Sequence, residues 1–167
     1  SENDERGLYK STNGGRSWSR VLGPEVEGRR IGVVDVVMDP TDPQTLYAAS
    51  YDKVRLPYTF DLAGPGSRLY KTTDGGDNWI QLGAGLPQGM LGRIGVDVYE
   101  RDPSIVYVTI ENANKEDMSD EDRRQELLNH ESSRMINGGE VYRSDDAGIR
   151  RTKASPDGES IGGGPAY

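Results

Sequence analysis

Apolar residues come in short runs, each broken by a polar corner rich in glycine, proline or aspartate. Val33-Val34-Asp35-Val36-Val37 is followed by an Asp-Pro corner and then by Thr45-Leu46-Tyr47-Ala48-Ala49. Further on, Ile94-Gly95-Val96-Asp97-Val98 leads through another Asp-Pro to Ile105-Val106-Tyr107-Val108-Thr109. Runs this short, rich in Val, Ile, Tyr and Thr, predict β-strands. Asp-Pro and Gly-Gly mark the turns between them. The pattern predicts strands near 31–38, 45–51, 68–72 and 78–82, then near 94–99, 105–111, 140–144 and 150–154. Two more fall near 7–11 and 17–22.

These strands repeat in register. Ser11-Thr12-Asn13-Gly14-Gly15-Arg16-Ser17-Trp18 returns 61 residues later as Thr72-Thr73-Asp74-Gly75-Gly76-Asp77-Asn78-Trp79. A worn third copy reads Ser144-Asp145-Asp146-Ala147-Gly148. Pro43 to Pro103 and Tyr47 to Tyr107 are each 60 residues apart. Between Asp97 and Pro103 the later copy is two residues shorter than the stretch from Asp35 to Pro43, a deletion that falls between strands. Four strands per unit, used repeatedly, imply an all-β partial propeller of about two and a half four-stranded antiparallel blades. Residues 1–22 give the last two strands of one blade, 31–82 a complete blade and 94–154 a second blade. An acidic insertion, 112–138, interrupts the second blade, and 155–167 would connect onward. A β-sandwich is the alternative, but it has no need of turn chemistry repeated in register.

The chain has 167 residues, 22 of them glycine, and only 33% are hydrophobic. That suits many short strands and disfavours a helical bundle. Asp and Glu number 28 against 20 Lys and Arg, a net charge of -8, which would repel a nucleic-acid backbone. No apolar run approaches the roughly 20 residues that cross a bilayer. Without cysteine there is no disulfide framework and no thiolate metal site.

Each residue of the turn has a physical task. The Asp or Asn side chain accepts hydrogen bonds from amides just downstream. Glycine takes a positive φ, and the hydroxyl ties strand to turn. The tryptophan is expected to lay its ring into the blade core. Ser11, Asn13, Gly15, Trp18, Thr72, Asp74, Gly76, Trp79, Ser144, Asp146 and Gly148 are therefore structural candidates. Asn13 stands where Asp74 stands in the next copy, and its amide oxygen still accepts. The third copy has Arg151 where tryptophan belongs, which predicts a poorly packed outer strand.

The octets 11–18 and 72–79 resemble the Asp-box, or bacterial neuraminidase repeat, of sialidases, sortilin-type receptor domains, some endoglucanases and photosystem II assembly factors. The phrases Gly-Leu-Tyr-Lys-Ser-Thr, Asp-Val-Val-Met-Asp-Pro and Gly-Arg-Ile-Gly-Val-Asp-Val are similar to bacterial sortilin-like or glycosyl-hydrolase-like repeat proteins. The likeness implies a propeller fold and, for the protein as a whole, export to the periplasm or beyond. It implies little about activity, because such boxes lie at blade corners away from active sites.

Two and a half blades do not close a ring. The chain is expected to join the remaining blades of a longer parent or other copies of itself, and to be a marginal monomer when isolated.

Candidate chemistry is sparse. Asp35 and Asp97 hold equivalent places on the innermost strands, and with Asp52 they are weak catalytic candidates. Paired carboxylates are what glycoside hydrolysis requires, yet repeat-equivalent residues more often do a structural job. The connection 51–67 is long; Arg55, Tyr58 and Phe60 on it, with Arg93, are candidate ligand-binding residues for a sugar or peptide. Its aromatics also suit packing onto the next blade. In the insertion, Glu116, Asp117, Asp120, Glu121 and Asp122 lack the spacing of a calcium loop, and Ser119 to Asp122 resembles a cap for a short helix. His130 is the single histidine, so neither a zinc-protease motif nor a nucleophilic triad is supported. No metal or cofactor is expected. The expected function is a non-catalytic scaffold presenting loops to a protein, peptide or glycan. A glycoside hydrolase fragment and a photosystem-type assembly factor are the alternatives.

Overall fold

The structure, a computed structural model, describes residues 3–56, 59–114 and 139–156. The expected insertion with its short helix and His130 falls almost wholly outside these residues, as do Tyr58 and the connection beyond 156. The described chain is all β, with no helix among the described residues. It forms a partial propeller. A two-stranded half blade pairs β1 (Leu8–Lys10) with β2 (Ser19–Leu22). The first full blade has the order β10-β9-β6-β5, with β5 Gly32–Met38, β6 Leu46–Tyr51, β9 Leu69–Thr72 and β10 Ile80–Leu82. The second has the order β11-β12-β13-β14, with β11 Leu91–Val98, β12 Val106–Asn112, β13 Gly139–Ser144 and β14 Thr152–Lys153. All pairings are antiparallel and join neighbours in sequence, except that β6 pairs with β9 across an intervening hairpin.

Two hairpins decorate these sheets. β3 (Glu25–Val26) and β4 (Arg29–Arg30) turn through Glu27 and Gly28, at φ 50° and 74°. No apolar run announces this hairpin; the Glu-Gly pair at its tip is the only mark it leaves in the sequence. β7 (Val54–Leu56) and β8 (Thr59–Asp61) form the second, within the long connection 51–67.

The core lies between the two full blades. β11 packs across β5 and β6. Ile94, Val96 and Val98 from β11 and Val106, Val108 and Ile110 from β12 are buried. They meet Tyr47, Ala49 and Leu69 from the first blade, all at 1% exposure or less. The period of two explains this: alternate residues of β11 and β12 face the first blade, while Arg93, Asp97, Tyr107 and Thr109 face away.

The strands also sort the connections. One end of each blade carries the Asp-Pro corners and the repeated turns. The opposite end carries the long connections: β3–β4, β7–β8 and residues 83–90.

Candidate functional site

The three turns share one hydrogen-bond scheme, built from side chains onto backbone. The hydroxyls of Ser11, Thr72 and Ser144 accept from the amides of Gly15, Gly76 and Gly148 at 2.8, 3.0 and 2.8 Å. The same hydroxyls donate to Asn13, Asp74 and Asp146 at 3.1, 2.7 and 2.7 Å. Those acceptors in turn receive the amides of Ser17, Asn78 and Arg150 at 2.9, 2.9 and 2.8 Å. The backbone is the same each time: φ is 69° and 84° at Gly14 and Gly15, 69° and 96° at Gly75 and Gly76, 54° and 80° at Ala147 and Gly148. Hydrogen bonds from the Asn78 amide and side chain and from Thr72 hold the Asp74 carboxyl far below its ordinary range. The Arg150 amide and Ser144 lower Asp146 in the same way.

The tryptophans do not enter the blade core as expected. Trp18 is 61% exposed and Trp79 half-buried. Each ring folds back on its own turn, the indole N–H donating to the carbonyl of Gly15 or Gly76 at 3.1 Å. Trp79 is better covered because Val21 of the preceding half blade reaches the same turn, within 3.7 Å of where a Cβ on Gly76 would stand. Arg151 takes this place in the third turn. It is buried at 5% exposure, and Nε, Nη1 and Nη2 all lack a hydrogen-bond partner. The fault expected in that turn is therefore a buried charge, while the hairpin itself still forms.

A second repeated arrangement joins the blades. Lys10 donates from β1 to the Gly75 carbonyl at 2.7 Å. Lys71, its equivalent on β9, donates to the Ala147 carbonyl at 2.7 Å, and the Tyr47 hydroxyl reaches the same oxygen at 2.8 Å. The Lys71 ammonium also lies 5.3 Å from the Tyr47 ring centre. Burial pushes the Tyr47 hydroxyl up to about 12 and lowers Lys71. Sequence reasoning missed this seam, although Lys10, Lys71 and Arg143 stand at one repeat position just before the turn hydroxyl.

The catalytic candidates do not converge. Asp35 spends Oδ2 on the amide of Val96, 3.1 Å away on the next blade. Asp97 lies on the opposite face of β11, exposed, accepting from the Val98 amide at 2.9 Å. The β11 backbone therefore stands between the two carboxylates. Asp52, 2% exposed, pairs with Arg29 through contacts of 3.1 and 3.4 Å and accepts from the Gly66 amide at 3.1 Å. This ties the β3–β4 hairpin to the end of β6. A Cβ on Gly64 would fall 2.3 Å from Asp52 Oδ2, so glycine there is a condition of the ion pair.

Arg55, Phe60 and Arg93, the ligand-binding candidates among the described residues, lie at the end with the long connections. Arg55 and Phe60 are backbone partners in the β7–β8 hairpin. Arg93 is exposed, and its amide donates to Glu111 Oε2 at 2.9 Å. Nearby, Lys53 lies 5.8 Å from the Tyr51 ring centre. Burial, then Glu111, raises the Tyr51 hydroxyl above its ordinary value. Among the described residues no group of three or more His, Asp or Glu is placed to hold a metal ion, and no helix is long and apolar enough to cross a membrane.

The fold has solved counterparts. The chain is similar to the GH74 xyloglucanase from Xanthomonas campestris, with a TM-score of 0.58 and 19% identity over 93% of this chain. It is also similar to a GH74 enzyme from Niastella koreensis, with a TM-score of 0.39 and 19% identity over 88% of this chain. It spans 18% of the first protein's length and 26% of the second's. No protein-family model matches the sequence, and no curated protein matches it. The likeness is one of fold.

Proposed function

We propose that this chain is a non-catalytic scaffold within a larger, Asp-box-type propeller, and that it presents the loops at its β7–β8 end to a glycan. The observation that carries the reading is the placement of β11 between Asp35 and Asp97, with Asp52 already neutralised by Arg29. Hydrolysis of a glycosidic bond needs two carboxylates flanking one cleft, separated by roughly 5–10 Å with open space between them. Here a strand separates one pair, and the third acid is buried. Arg55, Tyr58, Phe60 and Arg93 supply the cationic and aromatic groups that suit a sugar or peptide surface. The xyloglucanase likeness favours a sugar. Residues 1–22, 31–82 and 94–154 each serve as a blade unit in this reading, and the resemblance to sortilin-like repeat proteins favours export of the whole protein.

The test is titration calorimetry of the chain with xyloglucan oligosaccharides, run beside a hydrolysis assay on the same sugars. Binding that weakens at least tenfold in Arg93→Ala, with no turnover, is the expected result. The second reading, part of a carbohydrate-active hydrolase, is favoured by the fold likeness to a xyloglucanase. Turnover abolished by Asp35→Asn or Asp97→Asn alone, with the melting temperature unchanged, would establish it instead.

A further inference from the structure

Two cations at the end with the long connections are left without an acid. Lys53, between β6 and β7, lies 5.8 Å from the Tyr51 ring centre. Arg93 stands on β11 and is exposed. Elsewhere acids take up Lys10, Arg29, Arg30, Arg143 and Lys153. Among the described residues no carboxylate comes within ion-pair distance of the side chain of Lys53 or Arg93.

The backbone gathers these groups at one place. Gly64, just beyond β8, exchanges amide–carbonyl contacts of 3.0 and 3.4 Å with Leu91, which anchors the exit of the β7–β8 hairpin beside the start of β11. Two residues on, the Arg93 amide donates to Glu111 Oε2 at 2.9 Å. A Cβ on Gly92 would fall 2.5 Å from that oxygen and 3.2 Å from the Leu62 carbonyl, so glycine lets β12 and the hairpin exit close on β11 here. The Tyr51 hydroxyl stands in the field of both Glu111 and Arg93. Asp52, the next acid along the chain, is already held by Arg29. Lys53 and Arg93 against Glu111 therefore leave one positive charge over, in a chain whose net charge is -8.

We infer that this end takes an oligosaccharide carrying one uronic acid, with Arg93 and Lys53 holding its carboxylate and Glu111 accepting from sugar hydroxyls. This rests on the glycan reading of the same loops and names the charge of the sugar. A guanidinium matches a carboxylate with two parallel N–H donors, and the ammonium adds a compact second charge. A run of uronic acids fits less well than one, because the remaining acids of the chain repel it.

Titration calorimetry with xylotriose bearing one glucuronic acid, beside the methyl ester of the same sugar, tests this. The ester keeps the shape and removes the charge. The acid is expected to bind about tenfold more tightly than the ester in low salt, and the gap should narrow as salt is added. Lys53→Gln and Arg93→Lys should each shrink the gap at least threefold. Arg93→Lys keeps the charge and loses only the paired donors, so its effect is not that of unfolding. Equal affinity for acid and ester overturns the inference and leaves the glycan reading standing. A gap that neither replacement moves does the same, as does a chain that binds xyloglucan oligosaccharides but neither probe. Failure to bind any of these sugars overturns both.

Discussion

Ala147 and Arg151 are the two residues at which the third turn departs from the others. Ala147 holds φ 54°, a conformation that costs an L-residue about 1–2 kcal/mol. Glycine occupies this place in both other turns. Ala147→Gly is expected to raise stability by about 1 kcal/mol and the melting temperature by roughly 2–4 °C, read by calorimetry. Arg151 keeps a guanidinium buried with no acceptor, a situation that costs a fold several kcal/mol. Arg151→Trp supplies the indole N–H that the other two turns give to their second glycine. It should raise the urea midpoint by the equivalent of about 1–3 kcal/mol with the slope unchanged. The turns differ in acid as well. Asp74 and Asp146 have folded pKa values below the ordinary 3.8. Their contribution is present above that value and is lost as pH falls through the depressed one. Asn13 does not titrate. Asp74→Asn should therefore flatten the loss of stability below about pH 4 while leaving the turn formed at neutral pH, as circular dichroism against pH would show.

At the scale of elements, the strands were legible and the hairpins were not. Each sheet strand lies where alternation and the turn residues placed it, because half-buried strands must follow a period of two. The β3–β4 hairpin escaped because Glu25, Val26, Arg29 and Arg30 carry no apolar pattern. They are held by Arg29 reaching Asp52, across more than twenty residues of sequence. The tryptophan ring was misread for a related reason. Its N–H needs an acceptor, and the turn itself offers a glycine carbonyl at 3.1 Å. The candidate acids were legible as repeat-equivalent positions, but nothing in one strand's sequence tells which face its neighbour covers. Asp52→Asn is expected to cost about 3 kcal/mol by removing the buried charge that Arg29 faces, and to free the β3–β4 hairpin to exchange amide hydrogens faster than the sheets do.

For the whole molecule, the seam between the two full blades decides cohesion. Tyr47 is fully buried, and its folded pKa of about 12 lies above the ordinary 10.0. A raised value means that its share of stability is whole below pH 10 and disappears as pH rises towards 12. An absorbance titration should accordingly find one tyrosine that ionises only as the chain unfolds. Lys71→Met removes the other donor to Ala147 and should lower stability by about 1–3 kcal/mol, parting the blades before either sheet melts.

The oxygen that Tyr47 and Lys71 share belongs to the peptide chain, and so does the one that Lys10 reaches. A joint made onto main chain is indifferent to which amino acid supplies it, as the exchange of glycine for alanine between the second and third corners already illustrates. Duplicated units joined in this way are free to drift apart in letters while remaining interchangeable in shape.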